Sequence, residues 1–299
     1  MKIPKKYKAL ANNRGFTKVE LIVVIVICAI LGLLLIGAIG MGAGLVLPAL
    51  AKAKAKSKGI SCMNNNRQLA MAWLLYADDN DGKLVGAAEW NFQGEKKPDW
   101  TGGSRLTQKD KRDPNNWNHV AYTHKSPLWP YCGNDPEIWT CPADPSTAID
   151  NTGETVPRIR SRSMNNWVGG PGWNDSGPWY PQNPKGWRTH ISLSDFVAPS
   201  NTFVLVDEHP DSINDGYFVV DMKGYPDNLS SFRMVDFPAS YHNGAAGFAF
   251  ADGHAEIKKW LDKRTKTPPL NMQDRPLNVS MPNNPDLRWM QERSTRKVN

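Results

Sequence analysis

Residues 15–50 read GFTKVELIVVIVICAILGLLLIGAIGMGAGLVLPAL. From Leu21 to Leu50 no residue is charged, a run longer than the ~20 apolar residues that carry a helix across a bilayer. The expectation is a single membrane-spanning helix over about 21–47, loosened in its second half by Gly37, Gly40, Gly42, Gly44 and Pro48. A secretory signal peptide also begins with basic residues before an apolar run. Here, however, the run is about twice the usual length, and no small-x-small cleavage site with a polar flank comes after it. Glu20 stands at its entrance. An unpaired carboxylate costs about 2.5–3.5 kcal/mol at the centre of a membrane and less near an interface, so Glu20 implies a partner. Basic residues flank the run almost equally on both sides, which leaves orientation unset by charge.

Composition bounds what surrounds this segment. The chain has 299 residues, 40% hydrophobic, 22% charged and with 4 Cys, an ordinary globular balance that excludes gross disorder, collagen and a disulfide miniprotein. The mean hydropathy of −0.51 excludes a multi-spanning membrane protein. The net charge of +7 is unevenly distributed: +5 over 1–15, +5 over 16–67, +6 over 258–299 and −9 over 68–257. The body is therefore acidic, and no nucleic-acid partner is expected.

The leader, Gly15-Phe16-Thr17-Lys18-Val19-Glu20-Leu21 and the apolar run together resemble the class III signal of type IV pilins and type II secretion pseudopilins. The resemblance implies that a prepilin peptidase cuts after Gly15 and N-methylates Phe16. It also implies that Glu20, at mature position five, pairs with the terminal amine of a neighbouring subunit. Lys18 departs from the apolar residue usual at mature position three. Downstream, LPALAKAKAKSKGISCMNNNRQLAMAWLLYADDNDG (residues 47–82), Cys141-Pro142-Ala143-Asp144, Ser163-Met164-Asn165 and Val206-Asp207-Glu208 resemble the large-headed pilin-like proteins of planctomycete and verrucomicrobial type. So does His242-x9-Asp252-Gly253, which is similar to their prepilin-processing-associated segment. The resemblance implies a non-enzymatic filament subunit with a cytoplasmic leader and a periplasmic head. Its partners would be the peptidase, other pilin-like subunits and the inner membrane. The alternative is a membrane-anchored extracytoplasmic binding module.

The fold class expected is α+β: a long N-terminal helix, membrane-spanning then amphipathic, packed on a small antiparallel-sheet head with long loops. The domains are a leader at 1–15, the helix at 16–80, a head at 81–264 and a Pro/Asn-rich tail at 265–299, expected to wrap the surface or to be flexible. Over 49–78 the apolar positions Leu50, Ala53, Ile60, Met63, Leu69, Met71, Trp73, Leu74 and Tyr76 predict the amphipathic continuation. Asp78-Asp79-Asn80-Asp81-Gly82 ends it. Thr202–Val206 and Tyr217–Val220 read as strands. Residues 247–257 read as a hairpin across an Asp252-Gly253 type I′ turn.

Candidate chemistry is sparse. Both Cys62 and Cys141 fall in the family-like segments, so the resemblance favours a Cys62–Cys141 disulfide, with Cys132–Cys141 or free thiols as alternatives. A zinc site is not expected, since no C-x-x-C occurs and Cys132 and Cys141 lie nine positions apart. Asp79 and Asp81 are calcium candidates, but Ala77 and Ala88 stand where a calcium loop needs its first and twelfth ligands, so the stretch reads first as a solvated turn. Asp207-Glu208-His209 comes after a strand and could serve acid–base or metal chemistry, yet neighbours on a strand point to opposite faces. His242 and Asp252 could form an imidazole–carboxylate contact or serve as structural turn residues. Nine of the 12 Trp lie between Trp90 and Trp187, where burial is the first expectation and an exposed stacking surface the second.

Overall fold

The computed structural model describes residues 18–87, 89, 95–170, 186–267 and 275–298. The chain divides into two compact units, Met1–Ala53 and Lys54–Asn299. Helical residues run Lys18–Asp79 (α1), so α1 contributes to both units, and each part is described by itself. In the first unit the side chains from Leu21 to Cys28 are all exposed.

The membrane-spanning part of the expected fold is corrected here: among the described residues no helix is long and apolar enough to cross a membrane.

In the second unit α1 is amphipathic, but its buried stripe differs from the one that hydrophobicity predicts. Gly59, Cys62, Asn66, Leu69, Trp73 and Ala77 are buried, spaced three or four residues apart as one helix face requires. Ile60 and Met71 lie more than half exposed. The stripe includes Cys62 and Asn66, whose side chains no apolar periodicity would mark. At the end of α1 the backbone turns through left-handed Asp81 and Gly82, and the Gly82 N–H donates to the Ala77 carbonyl at 2.8 Å.

After α1 come a single-turn helix, α2 (Pro114–Trp117), and a small hairpin of β1 (Thr147–Ile149) and β2 (Thr155–Pro157). The main sheet is built from β3 (Arg162–Asn165), β4 (Phe203–Asp207), β5 (Tyr217–Phe218), β7 (Ala245–Phe250) and β8 (Ala255–Lys259), in the order β5-β3-β4-β7-β8. β6 (Arg233–Met234) pairs separately with β9 (Val279–Ser280). The expectation of an antiparallel sheet is also corrected, because β5 pairs parallel to β3. After β4 the chain passes the neighbouring β3 and lands on its far edge, and a strand reached that way runs in the same direction as β3.

Both faces of this sheet are covered. Leu69 and Trp73 of α1 share one apolar cluster with Met164, Leu205 and Ala249. On the other face Phe203, Val206, Phe218, Phe248 and Phe250 pack with Trp260, Leu287 and Met290. Strand alternation sorts the residues between the clusters, with a register shift between Phe203 and Leu205 resetting the phase. The β7–β8 hairpin closes through Ala251-Asp252-Gly253. Gly253 takes φ +89° while Asp252 does not enter the left-handed region, so the turn is a three-residue loop ending on a left-handed glycine rather than type I′.

The expected tail proves to be structural. It supplies β9 and α3 (Pro285–Gln291), whose Asn284 cap accepts from the N–H groups of Asp286 and Leu287. Asp286 in turn accepts from the N–H groups of Leu261 and Asp262. Leu287→Ala is therefore expected to destabilise the protein by about 2–5 kcal/mol, measured as the shift in chemical denaturation of the full chain. A change below about 0.5 kcal/mol, typical of a surface site, would mean that α3 does not seal the sheet.

Candidate metal centre

Two elements and two loops converge on the α1 face of the sheet. Cys62 lies in the buried stripe of α1, Asp207 ends β4, His242 precedes β7, and Cys141 comes after a 3-10 turn at Pro136–Trp139. One donor atom from each of the four lies within 4.8 Å of all the others. The Cys62 thiol donates to Asp207 Oδ2 at 2.9 Å, and Cys141 Sγ lies 3.3 Å from His242 Nε2. His242 Nε2 is 3.8 Å from Asp207 Oδ2. All four cysteines, including Cys28 and Cys132, are free in this structure. The Cys132 thiol donates to the Leu128 carbonyl at 3.1 Å, apart from the cluster.

A buried polar frame surrounds the four residues. Arg162 Nε lies 3.3 Å from Asp207 Oδ1, with both side chains fully buried. The same guanidinium donates to Asn66 Oδ1 at 2.6 Å, to the Ile138 carbonyl at 2.8 Å and to Cys62 Sγ at 3.5 Å. Gly247 N–H donates to Asp207 Oδ2 at 3.0 Å. A Cβ on Gly247 would stand 2.5 Å from Asn66 Nδ2 and 2.7 Å from Asp207 Oδ2, so only glycine lets β7 approach the carboxylate this closely. His242 Nδ1 is buried without a hydrogen-bond partner among the described residues.

The electrostatics arise from burial and pairing. Burial alone would raise the pKa of Asp207, but Arg162 and the bonds from His242 and Cys62 outweigh it and hold the carboxyl below its ordinary value. Burial alone would lower His242, yet its bonds to Asp207 and Cys62 win and lift it to about 9. The hydrogen bond with Cys141, burial and the Asp207 charge together push the Cys62 thiol far up. The cluster thus holds a protonated thiol beside an anionic carboxylate and a cationic imidazole.

The other sequence candidates are dispersed. Asp252 accepts from His254 N–H at 3.1 Å and lies 2.5 Å from its Nδ1, so His242 finds its carboxylate in Asp207 and not in the Asp252-Gly253 turn. Glu208 is also buried, but its Oε1 accepts from the Ser212 hydroxyl at 2.8 Å, away from Cys62; Asp207 and Glu208 do not form one acid–base pair. Asp79 Oδ2 accepts from Tyr131 at 2.8 Å, and Asp81 is the left-handed turn residue after α1. Trp100, Trp139 and Trp167 are fully buried, and no described Trp is among the exposed large apolar side chains. Gly15 and Phe16 lie outside the described residues, as does the side chain of Glu20.

The cluster is hidden in the sequence because its ligands are separated by 79, 66 and 35 positions. Each ligand stood out within its own short segment, Cys62 and Cys141 as disulfide candidates, Asp207 beside Glu208 and His209, and His242 with Asp252, but nothing in the sequence joined the four. No known protein family, curated protein or solved structure matches the chain.

Two outcomes are expected. Gly247→Ala should lower the melting temperature by several degrees through its clash with Asn66 and Asp207; an unchanged transition in calorimetry would refute the close approach. Asp236, whose carboxyl burial raises to about 8, provides a pH signature. Its folded value lies above its unfolded value, so its own contribution to stability is fully present below about pH 4 and is lost as pH rises through about 8. Asp236→Asn, which keeps an acceptor for the Val219 N–H, should therefore be neutral near pH 4 and raise the melting temperature near pH 8. An equal shift at both pH values would contradict this.

Proposed function

We propose that this protein is a structural pilin-like or pseudopilin-like subunit, released from its leader by a prepilin peptidase and assembled through its apolar N-terminal helix into a filament. One observation supports the reading most: the side chains from Leu21 to Cys28 are helical, consecutive and exposed. Eight consecutive residues cover more than two turns, so the apolar surface goes all the way round the helix. A helix that is apolar on every side is stable only when other apolar groups enclose it. Packing among like helices in a filament supplies that enclosure. Glu20 then has a role that no lipid-facing or solvent-facing position would give it, neutralising the amine of the next subunit's Phe16 and setting the axial register.

This reading puts the unassembled protein at the inner membrane with its head on the periplasmic side. It assigns the head no reaction: neither HExxH nor GxSxG occurs in the chain, and the acid–base candidates are dispersed. The runner-up, a tethered module holding a glycan or protein on exposed tryptophans, is weakened by the burial of the described rings.

Glu20→Ala should leave the head folded and abolish incorporation into sheared filaments. Wild-type incorporation of that variant, with unchanged circular dichroism, would refute the register role of Glu20.

A further inference from the structure

The geometry points to a structural zinc site in the head, ligated by Cys62 Sγ, Cys141 Sγ, His242 Nε2 and Asp207 Oδ2. The cluster alone carries this assignment, independently of the filament reading.

Donor chemistry is the first support. Two thiols, one imidazole and one carboxylate are the ligand types that hold zinc in closed four-coordinate sites. Spacing is the second. Zinc–ligand bonds of about 2.0–2.3 Å place the corners of a tetrahedron about 3.3–3.8 Å apart. Cys141 Sγ to His242 Nε2 is 3.3 Å, and His242 Nε2 to Asp207 Oδ2 is 3.8 Å. The Cys62–Asp207 edge is shorter, at 2.9 Å, because a thiol proton now bridges those atoms. Replacing that proton with a metal ion opens the edge by less than about 1 Å, within the reach of a cysteine side chain.

Charge balance is the third. Zinc takes cysteine as thiolate and histidine as neutral imidazole. Two thiolates and the Asp207 carboxylate then carry three negative charges, offset by the ion and by the Arg162 guanidinium. The site becomes neutral, as a buried site should be. Outer-shell support is already in place: Arg162 and Asn66 direct N–H groups at Cys62 Sγ, and Gly247 N–H holds the Asp207 oxygen that would ligate. Such contacts orient ligands and are commonly worth 10- to 100-fold in metal affinity. The His242 and Asp207 side chains are 5% and 0% exposed, and both cysteines are buried, so the cluster is closed as a structural site requires.

The full chain, reduced and incubated with Zn²⁺ and then desalted, should retain one zinc per chain by elemental analysis. With Co²⁺ it should show the intense visible bands and the thiolate charge-transfer absorption of a tetrahedral sulfur-containing site. Cys62→Ser and His242→Ala should lose these, while Cys132→Ser retains them. Asn66→Ala should weaken Co²⁺ binding by about 10- to 100-fold without abolishing it. If the ligand variants fail to fold, the cobalt spectrum of the unaltered chain decides alone. Retention of no metal by the reduced chain would overturn the proposal. So would octahedral, sulfur-free Co²⁺ absorption, or a Cys62–Cys141 disulfide recovered quantitatively from native material.

Discussion

A buried carboxylate at the end of β4 is the constraint that organises the head. Asp207 takes hydrogen bonds from Cys62 on α1 and Gly247 on β7, and pairs with Arg162 on β3. Helix, central strands and the His242 segment are thereby tied at one point, from which Arg162 extends to the loop carbonyl of Ile138. Burying such a pair gains little by itself. Breaking it by removing one partner leaves an uncompensated buried charge, at a cost of about 3–5 kcal/mol. The pair therefore acts less as a source of stability than as a device that fixes which face of α1 meets the sheet.

That device explains why the helix was only partly legible. Apolar periodicity located α1 and its end near Asp79, but Ile60 and Met71 pointed to the wrong face. The seam instead runs through Cys62 and Asn66, polar residues buried because Arg162 and Asp207 receive them. In the sheet, Thr202–Val206 and the hairpin near Asp252 were readable from β-branched and aromatic residues and from the Asp-Gly turn. The strand at Tyr217 was readable too, but its parallel pairing with β3 was not, because that depends on a connection past β3. Nor was α3, since a seven-residue helix amid Pro and Asn is indistinguishable by composition from a surface tail until Leu287 and Met290 are seen to cover Phe248 and its neighbours.

The site shows the same contrast. Cys62, Cys141, Asp207 and His242 each stood out in the sequence within a separate short segment. Their convergence is a property of the fold, created where a helix face, a strand end and two loops meet. The two parts of the molecule thus face different physical problems. The N-terminal helix presents apolar surface that requires external partners, whereas the head is closed by internal polar contacts and two apolar layers.

Whether this chain is processed and used as a filament subunit is decided at its N-terminus. Intact mass and N-terminal sequencing of protein recovered from its native membranes should give N-methyl-Phe16 as the first residue and a chain of 284 residues, the 299 less the 15 of the leader. A chain that retains Met1, or one that begins beyond Leu50, would contradict the filament reading.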